Sequence, residues 1–167
     1  MRTPPNEADV TVDYLANHAE LAPELATWAW TEWRVLYEQR GRSLDDARRS
    51  YRERAQVDAL PLTLVAFADG RLVGMVSLVV HDLATRPEIT PWLASLFVVP
   101  ELRRRGMASV LVSRALAEAR RLNLPTLFLW TSPSKAEAVY LKLGWRIVER
   151  TDYSGKRIVI MQMETGC

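Results

Sequence analysis

Cysteine is nearly absent from this sequence. The 167 residues contain only Cys167, so no disulfide can form within the chain and no thiolate metal site is expected. The two histidines, His18 and His81, lack the spacing of metal ligands. No apolar run approaches the roughly 20 residues that a membrane helix needs, and residues 1–7 lack the apolar core of a secretory signal. We therefore expect a cytoplasmic protein without a metal and without a membrane partner.

Lysine is also scarce, since the chain has 3 lysines against 19 arginines. The net charge of +2 gives no support for bulk nucleic-acid binding. Only seven glycines occur and 49% of the residues are apolar, which excludes collagen-like and disordered classes. A chain of this length can bury a core without disulfides or metals, so we expect residues 1–167 to form a single domain.

Turn residues and apolar periodicity divide the chain into strands and helices. Strands are predicted where β-rich or alternating runs end at turn residues, and helices where apolar side chains recur every three to four positions. The order β-α-α-β-β-β-α-β-α-β-β mixes hairpins with crossovers, which predicts an α/β (α+β) fold with one mixed sheet. The predicted strands are 9–15, 62–68, 72–80, 92–99, 126–130, 145–149 and 157–163, and the predicted helices are 23–39, 43–55, 104–122 and 134–143.

The segment Leu96–Ser109 joins a buried strand to a helix through a turn rich in arginine and glycine. The first N–H groups of a helix lack internal partners and lie at the positive end of its dipole, so they favour an anion. Gly106 leaves room for a phosphate beside three arginines at 103–105. Residues 101–121 contain six basic and two acidic side chains, so the local field favours a polyanion such as a pyrophosphate.

The same segment is compatible with a plain strand-to-helix turn that carries a solvated run of charge. It contains neither G-x-x-x-x-G-K-[ST] nor G-x-G-x-x-G, so these known phosphate loops do not match. The residues alone leave both interpretations open.

Two blocks of the sequence resemble the signature of the GNAT superfamily of N-acetyltransferases. The block V-P-x-x-R-x-x-G-x-A, which begins at Val99, resembles the R-x-x-G-x-[GA] acetyl-CoA motif. The block A-x-x-x-Y-x-K-L-G-W, which begins at Ala136, resembles the family segment A-x-x-x-Y-x-K-x-G-F, with Trp145 in place of the usual phenylalanine. The blocks lie about one strand apart, as in the family, and the resemblance covers roughly residues 9–163.

This resemblance implies a mostly antiparallel sheet with helices on both faces and acetyl-CoA as co-substrate. The two parallel middle strands, 92–99 and 126–130, are expected to splay apart and admit the pantetheine arm. A strand N–H near Val98 would polarise the thioester carbonyl. The residues implied to bind acetyl-CoA are Phe97, Val98 and Val99 on the strand, and Arg103, Arg104, Arg105, Gly106, Met107, Ala108 and Ser109 in the turn.

The resemblance assigns Tyr140 as the general acid for the departing CoA thiolate, since a nearby hydroxyl eases the departure of a thiolate. The alternative is a core tyrosine packed under the sheet. Many family members carry an asparagine seven residues earlier, where this chain has Pro133. That contact is either absent or supplied by the hydroxyls of Thr131, Ser132 or Ser134.

An alkyl ammonium has a pKa of about 10.4 and cannot attack, so the site needs a base or a desolvating pocket. No acidic residue lies in the predicted strand 92–99. The candidates in the preceding loop are His81, Asp82 and Glu88, although each is also explained as a solvated loop residue. A chain of waters or Ser95 are alternative relays.

The resemblance places the acceptor pocket between the first two helices, the loop before the motif strand and the last hairpin. Aromatic and acidic residues there could hold an organic cation, Arg86 could instead bind a carboxylate, and the aromatics could belong to the core. The acidic residues are too scattered for a polyamine or aminoglycoside clamp. The candidate substrate-binding residues are Trp30, Trp33, Asp82, Arg86 and Glu88, with Trp28, Tyr37 and Tyr153 in the same region.

We therefore predict an N-acetyltransferase that moves acetyl from acetyl-CoA to a primary amine of a small molecule by direct attack. A protein lysine or N-terminal acetyltransferase and a non-catalytic acyl-CoA-binding module are the alternatives. Nucleic acid is not an expected partner, and a homodimer is left open.

Overall fold

The structure is a computed structural model and describes residues 9–167. One sheet of seven strands, in the order β1-β2-β3-β4-β5-β7-β6, carries helices on both faces. Two short 3-10 segments, Leu15–Leu21 and Pro100–Leu102, complete the chain path. The strands are β1 Val10–Tyr14, β2 Leu62–Ala68, β3 Arg71–Val79, β4 Trp92–Val98, β5 Thr126–Thr131, β6 Arg146–Tyr153 and β7 Lys156–Glu164, and the helices are α1 Ala22–Glu32, α2 Arg34–Gln39, α3 Leu44–Glu53, α4 Met107–Arg121 and α5 Lys135–Lys142.

The sheet is antiparallel except between β4 and β5, which run parallel. These two strands are in register at one pair only, Trp92 with Phe128, and the Phe128 N–H also donates to the Pro91 carbonyl at 3.0 Å. Beyond this point β5 continues along β7 through Thr131, while β4 leaves it. The mixed sheet with splayed parallel middle strands is therefore confirmed.

Helices cover the sheet from opposite sides. On one face, the Trp28 ring of α1 packs on Phe97 of β4, with ring centroids 4.9 Å apart. On the other face, α4 packs so closely on β3 that a Cβ at Gly74 would lie 3.0 Å from Leu111 Cδ1. The same Cβ would lie 3.0 Å from the Phe97 carbonyl oxygen, so a larger residue at position 74 would force its neighbours to shift. The buried core runs through both layers.

The predicted helix 23–39 is instead two helices, because the backbone leaves helical geometry at Trp33 (φ −116°, ψ 30°). The buried stripe of α1 ends at Ala29, and no residue of α2 is buried. The break follows the point where the buried stripe ends, and α2 contacts the core only through partly buried side chains such as Tyr37. Periodicity in the sequence shows the helical character of both halves but not the break between them.

The final hairpin is longer than predicted, since β6 and β7 extend to the turn at Ser154 and Gly155. Most of β6 is exposed, so it lacks the apolar run that marks a buried strand in a sequence. Within residues 9–167, no helix combines the length and the apolar character that crossing a bilayer requires. The same residues contain no group of three His, Cys, Asp or Glu side chains arranged to hold a metal ion.

Candidate active site

The turn between β4 and α4 is shaped by backbone in the left-handed region. Arg104 has φ +64° and Gly106 has φ +83°, and Gly106 is the N-cap of α4. No side chain caps this helix, so the N–H groups of its first turn have no side-chain acceptor. This leaves a helix N-terminus with free donors at the positive end of the dipole.

The three arginines of the turn have different surroundings. Arg103 Nε donates to the Val98 carbonyl at 2.8 Å, and its guanidinium lies 5.3 Å from the Phe97 ring centroid and 3.6 Å from Glu32. Arg103 therefore braces the turn against β4 and α1. Arg104 and Arg105 are exposed and form no ion pair within residues 9–167, so they supply free positive charge beside the helix N-terminus.

A β-bulge interrupts β4 just before the predicted coenzyme segment. The register with β3 shifts between Ala94 and Phe97, and Ser95 has φ +54°. The bulged residues Ser95 and Leu96 are thereby taken out of the regular ladder. Both line a cavity, and the bulge sits where β4 has already separated from β5.

This cavity has a volume of about 810 Å³ and lies between the diverging strands β4 and β5. Its other walls come from α2, the loop between β3 and β4, and α5. The residues that line it include Glu32, Trp33, Leu36, Tyr37, Arg40, Arg42, Arg54, His81, Asp82, Ser95, Leu96, Trp130 and Tyr140.

Tyr140 forms part of the α5 wall and is 9% exposed. Its ring meets Trp145 edge-on, with centroids 5.9 Å apart, and its carbonyl accepts from the Trp145 N–H at 3.0 Å. Burial raises the pKa of the Tyr140 hydroxyl to about 12. The hydroxyl has no hydrogen-bond partner within residues 9–167 and is a proton donor at neutral pH.

Asp82 lines the cavity from the loop after β3. Its Oδ2 accepts from Trp130 Nε1 at 2.8 Å, and its backbone carbonyl accepts from Arg40 Nη2 at 3.1 Å. Arg40 is itself placed by Tyr153, whose hydroxyl accepts from Arg40 Nε at 3.2 Å. Desolvation raises the pKa of the Asp82 carboxyl, and Arg40 and Arg54 partly oppose the shift.

Arg54 follows α3 and enters the cavity beside the bulge. Its Nη1 donates to Ser77 Oγ at 3.1 Å and to Ser95 Oγ at 3.2 Å, and Ser77 is also hydrogen-bonded to Thr63 at 2.6 Å. The guanidinium lies 4.7 Å from the Tyr51 ring centroid. A cation is thus fixed one side chain away from the distorted part of β4.

The structure brings some of the predicted acceptor-site residues together and not others. Trp33 and Asp82 line the cavity, as do Tyr37 and His81. Trp30 packs on Tyr37 instead, with centroids 5.7 Å apart.

Arg86 and Glu88 are not among the cavity-lining residues of 9–167. Arg86 forms a two-pronged ion pair with Glu149 of β6, which fastens the loop to the last hairpin. Glu88 is exposed. The structure therefore does not bring these two residues to the cavity wall with Trp33 and Asp82, and their predicted roles stay predictions.

Arg40, Arg54 and Trp130 are among the cavity residues that sequence reasoning missed. Arg54 ends a highly charged helix and reads as one more solvated charge. Only the pairing of β2, β3 and β4, which sets Ser77 and Ser95 side by side, reveals its position.

Comparison with known families decides the assignment. The model of the acetyltransferase (GNAT) family matches residues 22–145, which include the arginine–glycine turn and Tyr140. The chain belongs to the GNAT family of acetyltransferases. It is accordingly an acetyl-CoA-dependent acetyltransferase, with acetyl-CoA as co-substrate.

Solved structures show the same fold in other acetyltransferases. YncA from Salmonella typhimurium, solved with acetyl-CoA, is 18% identical with a TM-score of 0.70, and 94% of each chain is covered. An aminoglycoside 6'-N-acetyltransferase in complex with coenzyme A is 16% identical with a TM-score of 0.71, covering 93% of this chain and 97% of the other.

A chimera of the spermidine N-acetyltransferase SpeG from Vibrio cholerae with hSSAT is 20% identical with a TM-score of 0.65, covering 94% and 96%. At these identities the likeness is one of fold. A search of curated proteins finds no match to this sequence.

Proposed function

We propose that this protein transfers the acetyl group of acetyl-CoA to a primary amine of a small molecule. The observation that carries the proposal is the cavity of about 810 Å³ beside the splayed strands, with Tyr140 on its wall. Sites for small molecules typically have volumes of about 300–1,000 Å³. Walls from α2, the β3–β4 loop and α5 surround this volume on several sides, which supports a small acceptor.

The turn before α4 is the proposed site of the coenzyme's pyrophosphate. Its uncapped first-turn amides, from Met107 through Ser109, and the free charge of Arg104 and Arg105 support this assignment. The strand backbone at Phe97–Val99 borders the splay, where it is available to an extended ligand. Acetyl-CoA supplies the thioester, and the bulge before Phe97 aims the backbone toward the cavity.

Tyr140 is the proposed hydrogen-bond donor to the departing thiolate. Its pKa of about 12 keeps the hydroxyl protonated at neutral pH. An ordinary thiol has a pKa of about 8.5, so a thiolate is a weaker base than the Tyr140 phenolate. Tyr140 therefore assists mainly by a strong hydrogen bond in the general-acid position.

Asp82 is the proposed partner of the acceptor amine. Its carboxylate lies on the cavity wall, and desolvation raises its pKa, which makes it a better proton acceptor than a solvated aspartate. His81 lines the same wall and is the alternative base. Glu88 does not line the cavity, which leaves these two of the three sequence candidates.

The test is release of free thiol from acetyl-CoA by the purified protein, measured across a panel of amines that includes amino acids, polyamines, aminoglycosides and lysine peptides. We expect turnover with at least one small amine and mass spectrometry of the product to show one added acetyl group. Turnover confined to peptides would support a protein acetyltransferase instead. Tight acetyl-CoA binding without thiol release from any amine would support a non-catalytic binding module.

A further inference from the structure

The guanidinium of Arg54 is held in one orientation, with three of its five N–H donors free. Its backbone carbonyl accepts from the Thr63 N–H at 3.0 Å, and Nη1 donates to Ser77 and Ser95. The stacking on Tyr51 fixes the plane of the group. Nε and Nη2 have no hydrogen-bond partner within residues 9–167. These two donors form the side of the fork that binds a carboxylate with two parallel hydrogen bonds.

The charge in the cavity is predominantly positive. Arg40, Arg42 and Arg54 line it, and none of them forms an ion pair with a residue of 9–167. The acidic residues on the wall are Glu32 and Asp82, and Glu32 lies 3.6 Å from Arg103 of the coenzyme turn. A polycationic acceptor would need carboxylates and would be repelled by the arginines. The cavity therefore favours an acceptor with a negative group.

Asp82 and Arg54 present opposite charges to the same cavity. They are close enough that Arg54 acts electrostatically on the Asp82 carboxyl. Arg54 also donates a hydrogen bond to Ser95 of the bulge, and this bulge belongs to β4, the strand beside which the thioester is proposed to lie. A negative group bound at Arg54 would therefore lie close to the reacting nitrogen rather than at the far end of a long molecule.

We propose that the acceptor is an amino acid or a similar amine with a carboxylate close to its nitrogen, and that Arg54 binds this carboxylate while Asp82 faces the amine. The inference rests on the proposed function, because it names the substrate class of the same site. Trp33, Leu36 and Trp130 provide an aromatic and apolar wall that suits an uncharged side chain. Arg54 is a specificity-determining residue in this account and takes no part in the transfer itself.

The test compares matched acceptors and matched variants at saturating acetyl-CoA. The twenty standard amino acids, the carboxamide of each one that reacts, spermidine and kanamycin are assayed for kcat/KM by thiol release. We expect the wild type to prefer carboxylates over their carboxamides by at least about tenfold. Arg54→Met should lower kcat/KM for the carboxylates by roughly 10- to 100-fold, since a hydrogen-bonded charge is lost, and leave the carboxamides nearly unchanged. Arg54→Lys keeps the charge but not the fork of N–H donors, so its kcat/KM for the carboxylates should lie between those of the wild type and Arg54→Met.

Arg52→Met is the matched control, because Arg52 is exposed on α3 and does not line the cavity. It should behave as the wild type, and circular dichroism should show that each variant is folded. Equal activity on carboxylates and carboxamides, a preference for spermidine or kanamycin, or an equal loss on both members of a pair in Arg54→Met would overturn the inference.

Calorimetry separates this inference from the proposed function. Amino acids are titrated into the protein–CoA complex of the wild type and of Arg54→Met. Arg54-dependent binding without turnover of any amine would refute the transfer reaction and keep the carboxylate site. Absence of both binding and turnover would refute both proposals.

Discussion

Tyr140 combines a buried ring with a hydroxyl that no residue of 9–167 engages. If this hydroxyl stabilises the departing thiolate, Tyr140→Phe should lower kcat by roughly 100-fold, as removal of a general acid usually does. The affinity for acetyl-CoA should change little, because the phenyl ring keeps its packing on Trp145. Steady-state kinetics and calorimetry with coenzyme A measure the two effects.

Tyr14→Phe is the control for the loss of a tyrosine hydroxyl. The Tyr14 hydroxyl donates to Glu118 at 2.7 Å, and Tyr14 does not line the cavity. This variant should lose stability through the broken hydrogen bond, by about 1.5–3 kcal/mol for a charged partner, and keep its kcat. A Tyr140→Phe enzyme with wild-type kcat would leave Tyr140 as a packing residue.

The ionised Asp82 carboxylate lowers the stability of the folded state, and it is also the proposed partner of the acceptor amine. Its folded pKa is raised, so the folded state favours the protonated carboxyl, and this contribution to stability is lost as the pH rises through the folded pKa. At neutral pH the ionised group is therefore destabilising. Asp82→Asn should raise the melting temperature at pH 8, lose most of that advantage near pH 4, and lower kcat/KM at every pH.

Thermal unfolding at the two pH values checks this prediction, with Asp69→Asn as the control. Asp69 is exposed in the β2–β3 turn at φ +51°, a conformation that asparagine also accepts. The Asp69→Asn variant should show no comparable pH-dependent rise in melting temperature. A lower melting temperature for Asp82→Asn at pH 8 would contradict the account of Asp82 as a desolvated charge.

The residues of the site differ in how visible they are in the sequence. Gly106 and Tyr140 belong to the two linear motifs that resemble the GNAT signature, so the sequence is enough to locate them. Arg54 acquires its meaning only from Ser77 and Ser95, which lie on two different strands. Arg86 looks equally suited to a carboxylate in the sequence, but Glu149, 63 residues later, pairs with it. Such pairings are properties of tertiary packing.

At the scale of elements, the N-terminus of α4 depends on Gly106. Gly106→Glu should abolish measurable binding of acetyl-CoA, since it adds bulk and negative charge where the pyrophosphate is proposed to lie. A non-glycine residue in the left-handed region also costs about 1–2 kcal/mol of stability. Calorimetric titration with acetyl-CoA measures the affinity.

Gly70→Glu is a matched control for both effects, because Gly70 has φ +72° and lies in the hairpin between β2 and β3 with nothing within 4 Å of an added Cβ. It should lose comparable stability and bind acetyl-CoA as the wild type does. Unchanged affinity in Gly106→Glu would refute the assignment of the pyrophosphate to this turn.

Elements that bury an uninterrupted apolar surface were the easiest to predict. The strand 62–68 matches the structure, and the predicted strand 126–130 lacks one residue of β5. The break at Trp33 was not predictable from periodicity, since apolar side chains recur on both sides of it and Tyr37 of α2 still packs against the core. At the start of α5, Ser134 accepts from the Ala136 N–H, while Glu137 pairs with Arg150 of β6, a contact that only the tertiary structure shows.

At the scale of the molecule, element order and two motifs were enough for the family and for a mixed sheet. The order of strands was harder, because β7 inserts between β5 and β6. This places the last hairpin beside β5, where Tyr153 reaches Arg40 of the cavity. A single domain and a cytoplasmic location stay predictions from the sequence, and the homodimer stays open.

The lone pairing of Trp92 with Phe128 divides the sheet into two mechanical units, four strands and three. Apart from that pairing, the two units are joined by the helix α4, which packs on strands of both, and by side-chain contacts such as Asp82 with Trp130 and Arg86 with Glu149. A coenzyme bound between β4 and β5 would contact both units and hold them together. The two units would then be held most rigidly with the coenzyme bound, and they would move more freely relative to each other after coenzyme A leaves.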